Sequence, residues 1–121
     1  MTRQDFEILV LSHYNVRADY PFEDDFVTGV FRHEHNQKWF AIAMNIDYRK
    51  INSGRNGETD VVNLKCAPEI IESIAGIEKG IYRAYHMNKA HWLTVALEEC
   101  DLETLMWLLG ISYDLTKSKK K

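Results

Sequence analysis

The alternation of apolar and polar residues divides the chain into short elements of two different periods. Residues 2–15 carry Phe6, Leu9, Val10 and Tyr14 at helical spacing, and Thr2 followed by Asp5 has the spacing of a capping box, so an amphipathic helix is predicted there. Tyr20-Pro21-Phe22 is expected to break it, because proline disfavours helical dihedrals in the residue before it. The period then changes to two. Residues 26–33 and 38–46 predict the strands of a hairpin, and in the second Phe40, Ile42, Met44 and Ile46 alternate with Trp39, Ala41, Ala43 and Asn45. His33-Glu34-His35-Asn36-Gln37 supplies the polar turn between them.

Turn chemistry places a loop over 47–60, where Asn52, Ser53, Gly54, Asn56 and Gly57 fall close together. A short β-branched strand follows over 60–66. Pro68 suits the first turn of a helix whose buried face is Ile70, Ile71, Ile74 and Ala75 and whose end is Gly76. Two more strands are predicted over 81–86 and 92–98. Asp101 is placed to cap a last helix reaching Thr116, with Leu102, Leu105, Met106, Leu109 and Tyr113 on one face. Gly110 inside it costs about 1 kcal/mol relative to alanine. Consecutive strands on short turns, with helices at both ends, predict an α+β fold: a single compact domain over 1–116, with a mostly antiparallel β-sheet packed by N-terminal and C-terminal helices. A lysine-rich tail over 117–121 completes the chain.

Composition adds what the pattern leaves open. The 121 residues hold 15 Lys+Arg against 18 Asp+Glu, a net charge of -3. Four of those cations (Lys117, Lys119, Lys120, Lys121) lie in the last five positions, so residues 1–116 carry 11 against 18, a net of -7. That balance excludes a histone-like strategy of binding nucleic acid through bulk positive charge. No secretory signal pattern opens the chain and no window is long and apolar enough for a membrane span, so a cytoplasmic protein with no membrane partner is expected. Cys66 and Cys100, 34 residues apart without a CxxC, are expected to be free thiols, although a disulfide between them fits the sequence too.

The densest chemistry is Tyr85-His86-Met87-Asn88-Lys89-Ala90-His91-Trp92, in a strand connection. As a metal site it is poor, because His86 and His91 do not have the spacing of a helical HExxH pair and no neighbouring carboxylate or thiol completes a set. As a catalytic site it lacks a nucleophile in an activating context: Cys66, Cys100 and Ser112 sit in no GxSxG-like motif. The expectation is therefore a protein without enzymatic activity, cofactor or metal. As an anion or nucleic-acid site, Arg83, His86, Lys89 and Trp92 combine cations with a ring able to stack, and Lys38 and Lys65 join them if they share that face. The same side chains equally serve to brace a turn. Trp39, Phe40 and Trp107 fall on apolar periods and are expected in the core. Gly54-Arg55-Asn56-Gly57 reads as a flexible hairpin tip and Glu23-Asp24-Asp25 as a solvated loop.

Taken together, Tyr20-Pro21-Phe22, Lys38-Trp39-Phe40-Ala41, Asn63-Leu64-Lys65-Cys66-Ala67-Pro68-Glu69, the 85–92 stretch and Ser112-Tyr113-Asp114-Leu115 resemble the MmcQ/YjbR-like family in order along nearly the whole chain. The resemblance implies a CyaY-like fold and a small bacterial cytoplasmic protein. It also implies a DNA-binding role through β-hairpin wings, one of which the 47–60 loop would supply. The motif positions it carries over are Lys38, Lys65, His86, Asn88, Lys89, His91, Trp92, Ser112 and Tyr113, with no catalytic residue among them. The leading expectation is weak, salt-sensitive DNA binding. The alternatives are a module binding a small anion or a protein partner in a pocket ringed by His86, Lys89 and Trp92, and a purely structural signature tied to the last helix through Tyr113 or Asp114.

Overall fold

The computed structural model describes residues 1–117, so of the lysine tail only Lys117 falls within it. Helix α1 (Arg3–Tyr14) opens with the expected capping box: the Thr2 hydroxyl accepts the Asp5 N–H and the Asp5 carboxylate accepts the Thr2 N–H, each at 3.0 Å. It ends before the proline does any work. Asn15 takes the left-handed conformation (φ 56°) and donates its N–H to Leu11 C=O, so an αL cap stops the helix.

Strands β1 (Gly29–Arg32), β2 (Trp39–Asp47), β3 (Glu58–Lys65), β4 (Ile81–Arg83) and β5 (Trp92–Ala96) form one antiparallel sheet in the order β1-β2-β3-β5-β4. A 3-10 turn (Tyr48–Ile51) follows β2, and helix α2 (Pro68–Ile74) starts with Pro68 in its first turn and leads to Gly76 at φ 81°. Helix α3 (Leu102–Thr116) runs unbroken through Gly110, beside which the Tyr14 hydroxyl packs. Phe6 and Val10 of α1 and Leu105, Leu108 and Leu109 of α3 bury Ala41, Ala43, Val62, Leu64, Leu93 and Val95 on one sheet face. The opposite face carries a smaller cluster of Ile46, Tyr48, Ile51, Val61 and Ala96, with Met44, Tyr82 and Tyr85 packed against it.

The period-two reading of β2 fails at one residue. Phe31 pairs with Ala41 but Arg32 pairs with Trp39, which leaves Phe40 as the extra residue of a bulge. Phe40 therefore joins Ala41 and Ala43 on the helix side, and Ile42, Met44 and Ile46 line the opposite face. Next to the bulge, the ladder bond that regular pairing would make between Phe40 and Lys65 is replaced by a side chain. The Ser112 hydroxyl donates to Phe40 C=O at 2.6 Å and accepts the Lys65 N–H at 2.9 Å. One turn on, the Thr116 hydroxyl donates to Ser112 C=O and accepts from His33 Nε2 at 2.8 Å.

Two residues lie where their sequence context did not place them. His33, expected at the start of the polar turn, is 2% exposed and packs its ring against Phe40 and Tyr113. Trp107, read as core, is 50% exposed because the turns of α3 that face the sheet are taken by Leu105, Leu108 and Leu109. Trp39 is half-buried, and Phe40 alone of the three is fully in the core.

Two predictions follow from the Ser112–Thr116–His33 chain. Ser112→Ala leaves a buried N–H and C=O without partners and lowers stability by about 1–3 kcal/mol in urea denaturation, with faster amide exchange at Lys65. Burial holds the His33 imidazole below its ordinary 6.5, with His35 and Lys117 pushing the same way and the Tyr113 carbonyl opposing them. Because the unfolded chain then binds the proton first, His33 contributes stability that is present above about pH 6.5 and is lost as pH falls toward the folded value. The urea midpoint should fall between pH 7.5 and 5.5, and His33→Gln should flatten that part of the profile; an unchanged slope would sink the assignment.

Candidate functional site

The connection between β4 and β5 folds back over the uncovered sheet face, and a buried pair of side chains holds it there. Asn63, at the centre of β3, donates from Nδ2 to Tyr85 C=O at 2.9 Å and accepts the Thr94 hydroxyl at 2.5 Å; that hydroxyl accepts the Tyr85 N–H at 3.0 Å. Both backbone groups of Tyr85 are thereby anchored to the middle of the sheet. Asn88 shapes the far end. Its side-chain oxygen accepts the Ala90 N–H, and its carbonyl accepts from His91 and Trp92. The His91 carbonyl in turn accepts the Cys66 N–H, so His91 acts here through its backbone while its side chain is exposed. Asn63 was not a sequence candidate, although an amide inside the apolar run Val61-Val62-Asn63-Leu64 is the kind of signal that marks a buried polar clamp.

Loop 20–28 closes the other side. An antiparallel bridge between Asp19 and Val30 fixes its base against the β1 edge, Arg32 pairs with Asp19, and Arg3 donates to Val27 C=O at 2.7 Å. Between loop and connection lies a groove of about 460 Å³. Phe22 meets the edge of Trp39 (centroids 5.9 Å apart, 83° between planes), and Ile42, Met44, Ile46, Tyr85 and Met87 supply the rest of the apolar wall. The polar groups on it include Asp25 and His86. Asp25 shapes its own loop, accepting the Val27 and Thr28 N–H groups at 2.9 Å, and bonds from Thr28 and Val27 hold its carboxyl below the usual range. It is an anion at neutral pH. His86 sits in the left-handed region at φ 63°, with its ring tilted over Tyr85 at 4.1 Å. Of the Tyr20-Pro21-Phe22 motif only Phe22 reaches the groove; Tyr20 turns its hydroxyl to Glu7 on α1, and Pro21 is exposed.

The candidate cations do not gather around His86. Lys65 lies opposite Trp92 in the β3–β5 register, and Lys38 is exposed at the β1–β2 turn. Arg83 makes two bonds to Glu72 of α2, at 3.0 and 3.2 Å, and it shares with Lys89 a second concavity at the β4 edge. The pocket expected around His86, Lys89 and Trp92 is thus divided: His86 lines one groove, Lys89 another, and Trp92 neither. The 47–60 loop, the candidate wing, joins β2 to β3 at the end of their antiparallel pairing. Asp47 chelates Arg49, Arg55 pairs with Glu99 at 3.0 Å and lies over the Tyr48 ring, and the Tyr48 hydroxyl donates to Glu98 at 2.5 Å. Two of the loop's three cations are therefore already neutralised.

The C-terminal motif braces the fold. Ser112 bridges β2 and β3, as described above. Tyr113 stacks on Tyr14 (4.3 Å, 26°) and also meets Phe40 and His33, which ties α3 to α1 and the β1–β2 hairpin. Asp114 is exposed and pairs with Lys117 at 3.5 Å. Cys66 and Cys100 are free, and burial pushes both thiols up, away from the thiolate form a nucleophile needs. No group of three or more metal-ligating side chains occurs among the described residues, and no helix there is long and apolar enough to cross a membrane.

The sequence model of the YjbR family matches residues 11–115. A Bacillus subtilis relative, "Uncharacterized protein YyaQ", is 37% identical over 118 residues, covering 97% of this chain and 99% of its own length. Among solved structures, a Pseudomonas syringae protein superposes in its crystal form with a TM-score of 0.91 at 38% identity, covering 97% of this chain and all of that one. A crystal structure of a Deinococcus radiodurans protein follows at a TM-score of 0.71 and 26% identity, covering 99% of this chain and 83% of that one.

The clamp on Tyr85 can be tested directly. Asn63→Ala strips Tyr85 C=O and Thr94 of their partner inside the sheet, and should cost about 1–3 kcal/mol. Amide exchange should accelerate at Tyr85, His86 and Met87 more than in β2, and uniform acceleration across the sheet would count against a local clamp.

Proposed function

The chain belongs to the YjbR family, and from that premise we propose that it is a non-catalytic, cytoplasmic binding module whose working surface is the groove between loop 20–28 and the 84–91 connection. The observation that carries the reading is convergence. Phe22, Trp39 and the Tyr85-His86-Met87 stretch, distant in sequence, meet in a concavity whose about 460 Å³ falls within the ordinary range for small-molecule sites. Its chemistry suggests the ligand. Trp39 and Phe22 offer aromatic surface, Met44 and Met87 adapt to irregular shapes, and the ionised Asp25 favours a positive charge. A flat, largely apolar molecule bearing an amine fits best.

DNA binding is the second reading, supported by Lys65 beside Trp92 and by exposed Lys38. Duplex affinity rests largely on phosphate neutralisation, and the net charge of -3 makes such binding weak and salt-sensitive. The two readings place their ligands on different residues, which makes them separable.

Amide and indole NMR spectra should be followed during titration with tryptamine, with indole, and with a short DNA duplex at about 50 mM salt. The groove reading expects tryptamine to shift Trp39, residues 42–46 and residues 85–87. Asp25→Asn should then weaken tryptamine by roughly fivefold while leaving indole unchanged, since only the amine uses the charge. Silence from tryptamine and indole together with duplex-induced shifts at Lys38, Lys65 and Trp92, reduced by Lys65→Ala, overturns the groove in favour of DNA. No response to any of the three probes overturns both.

A further inference from the structure

We infer that the second concavity, at the β4 edge, is an oxyanion site that takes the phosphoryl group of a small molecule. Three cations from separate parts of the chain line it: Lys50 from the 3-10 turn, Arg83 from β4 and Lys89 from the β4–β5 connection. Asn52, Ser53 and Gly76 share the lining of the space, about 360 Å³, with an apolar wall of Ile51, Ala75 and Ala84 and with Tyr82. Lys50 and Lys89 enter no ion pair among the described residues. Carboxylates nearby are already engaged: Glu72 holds Arg83 through two exposed bonds, Asp47, which feels Lys50, is chelated by Arg49, and Glu99 accepts from the Tyr82 hydroxyl and pairs with Arg55.

The backbone adds a donor. Ala96 N–H bonds Gly80 C=O, so by the alternation of an antiparallel ladder Arg83 turns its own peptide groups away from β5, toward the open edge. Positive charge in excess of the local carboxylates, an outward N–H and a concave wall suit a compact dianion; the guanidinium keeps donors beyond those given to Glu72. In a body whose first 116 residues carry a net of -7, a local reversal of this kind favours a small anion over a long polyanion, whose other phosphates would meet the acidic surface.

This site is independent of the open-face groove, though one connection serves both: His86 and Met87 face the groove and Lys89 faces the edge. The test is titration of the full chain with inorganic phosphate, followed by amide NMR, against sodium chloride at matched ionic strength. Saturable shifts at Gly76, Arg83 and Lys89 are expected with phosphate alone. The exposed double variant Lys50→Ala/Lys89→Ala should weaken binding by roughly tenfold or more while leaving the fold and the tryptamine response of residues 42–46 unchanged. Shifts that chloride reproduces, or that survive the double variant, overturn the proposal. A DNA duplex moving these amides where phosphate does not overturns it as well and assigns the edge to a nucleic-acid backbone.

Discussion

The architecture depends on a single hydroxyl lying where a main-chain hydrogen bond would otherwise be. The bulge at Phe40 opens a gap in the β2–β3 ladder, and Ser112 fills it with one donor and one acceptor, the capacity of a serine side chain. Because the hydroxyl belongs to α3, this pair of bonds fixes the helix in depth and rotation as well as satisfying two buried backbone groups. Tyr113 is then directed into the cage of Tyr14, Phe40 and His33, and Thr116 completes the turn by bonding both Ser112 C=O and His33. A sheet defect, a helix and an aromatic layer are thus one structural unit. Any residue at 112 without a hydroxyl leaves the bulge unsupported.

With helices packed on one face, the other face must be finished by connections. That is the role of Asn63 and Thr94, polar residues buried at the centre of a sheet, which hold Tyr85 by both of its peptide groups. Their arrangement tolerates no loose partner, since each unsatisfied buried group would cost as much as several surface contacts return. Anchoring the connection at one residue leaves the next ones, His86 and Met87, projecting over the groove.

Much of this was legible in the residues themselves. The capping box at Thr2 and Asp5, Pro68 in the first turn of α2 and the existence of the β1–β2 hairpin, though not its register, rest on local chemistry and are found as expected. The matched motifs also identified the family. What stayed hidden depended on long-range pairing. Alternation assigned Phe40 to the face of Ile42, Met44 and Ile46, because a bulge leaves no trace in an apolar run; its evidence is the register with β1. His33 looked like a turn residue until Tyr113 and Thr116, some 80 positions away, closed over it. Trp107 followed the apolar period of α3, yet three leucines were enough to fill the interface. The motif's cations looked clustered because they are close in sequence, but His86 and Lys89 line different concavities.

That separation bears on what the shared motif means. Ser112, Tyr113 and Asn88 spend their hydrogen-bonding or ring surface on the fold, and a replacement at any of them is felt as lost stability. Phe22, Trp39, His86, Met87 and Lys89 make few such commitments. Their side chains end in open concavities, and the main chain that carries them is held by other residues. A motif that looks like a single site in sequence is therefore two populations in space: side chains spent on bracing the helices, sheet and connection, and side chains that line open concavities. The net acidity of the body acts on this arrangement as a filter, since it discourages long polyanions everywhere while leaving short-range attraction intact where Lys50, Arg83 and Lys89 meet.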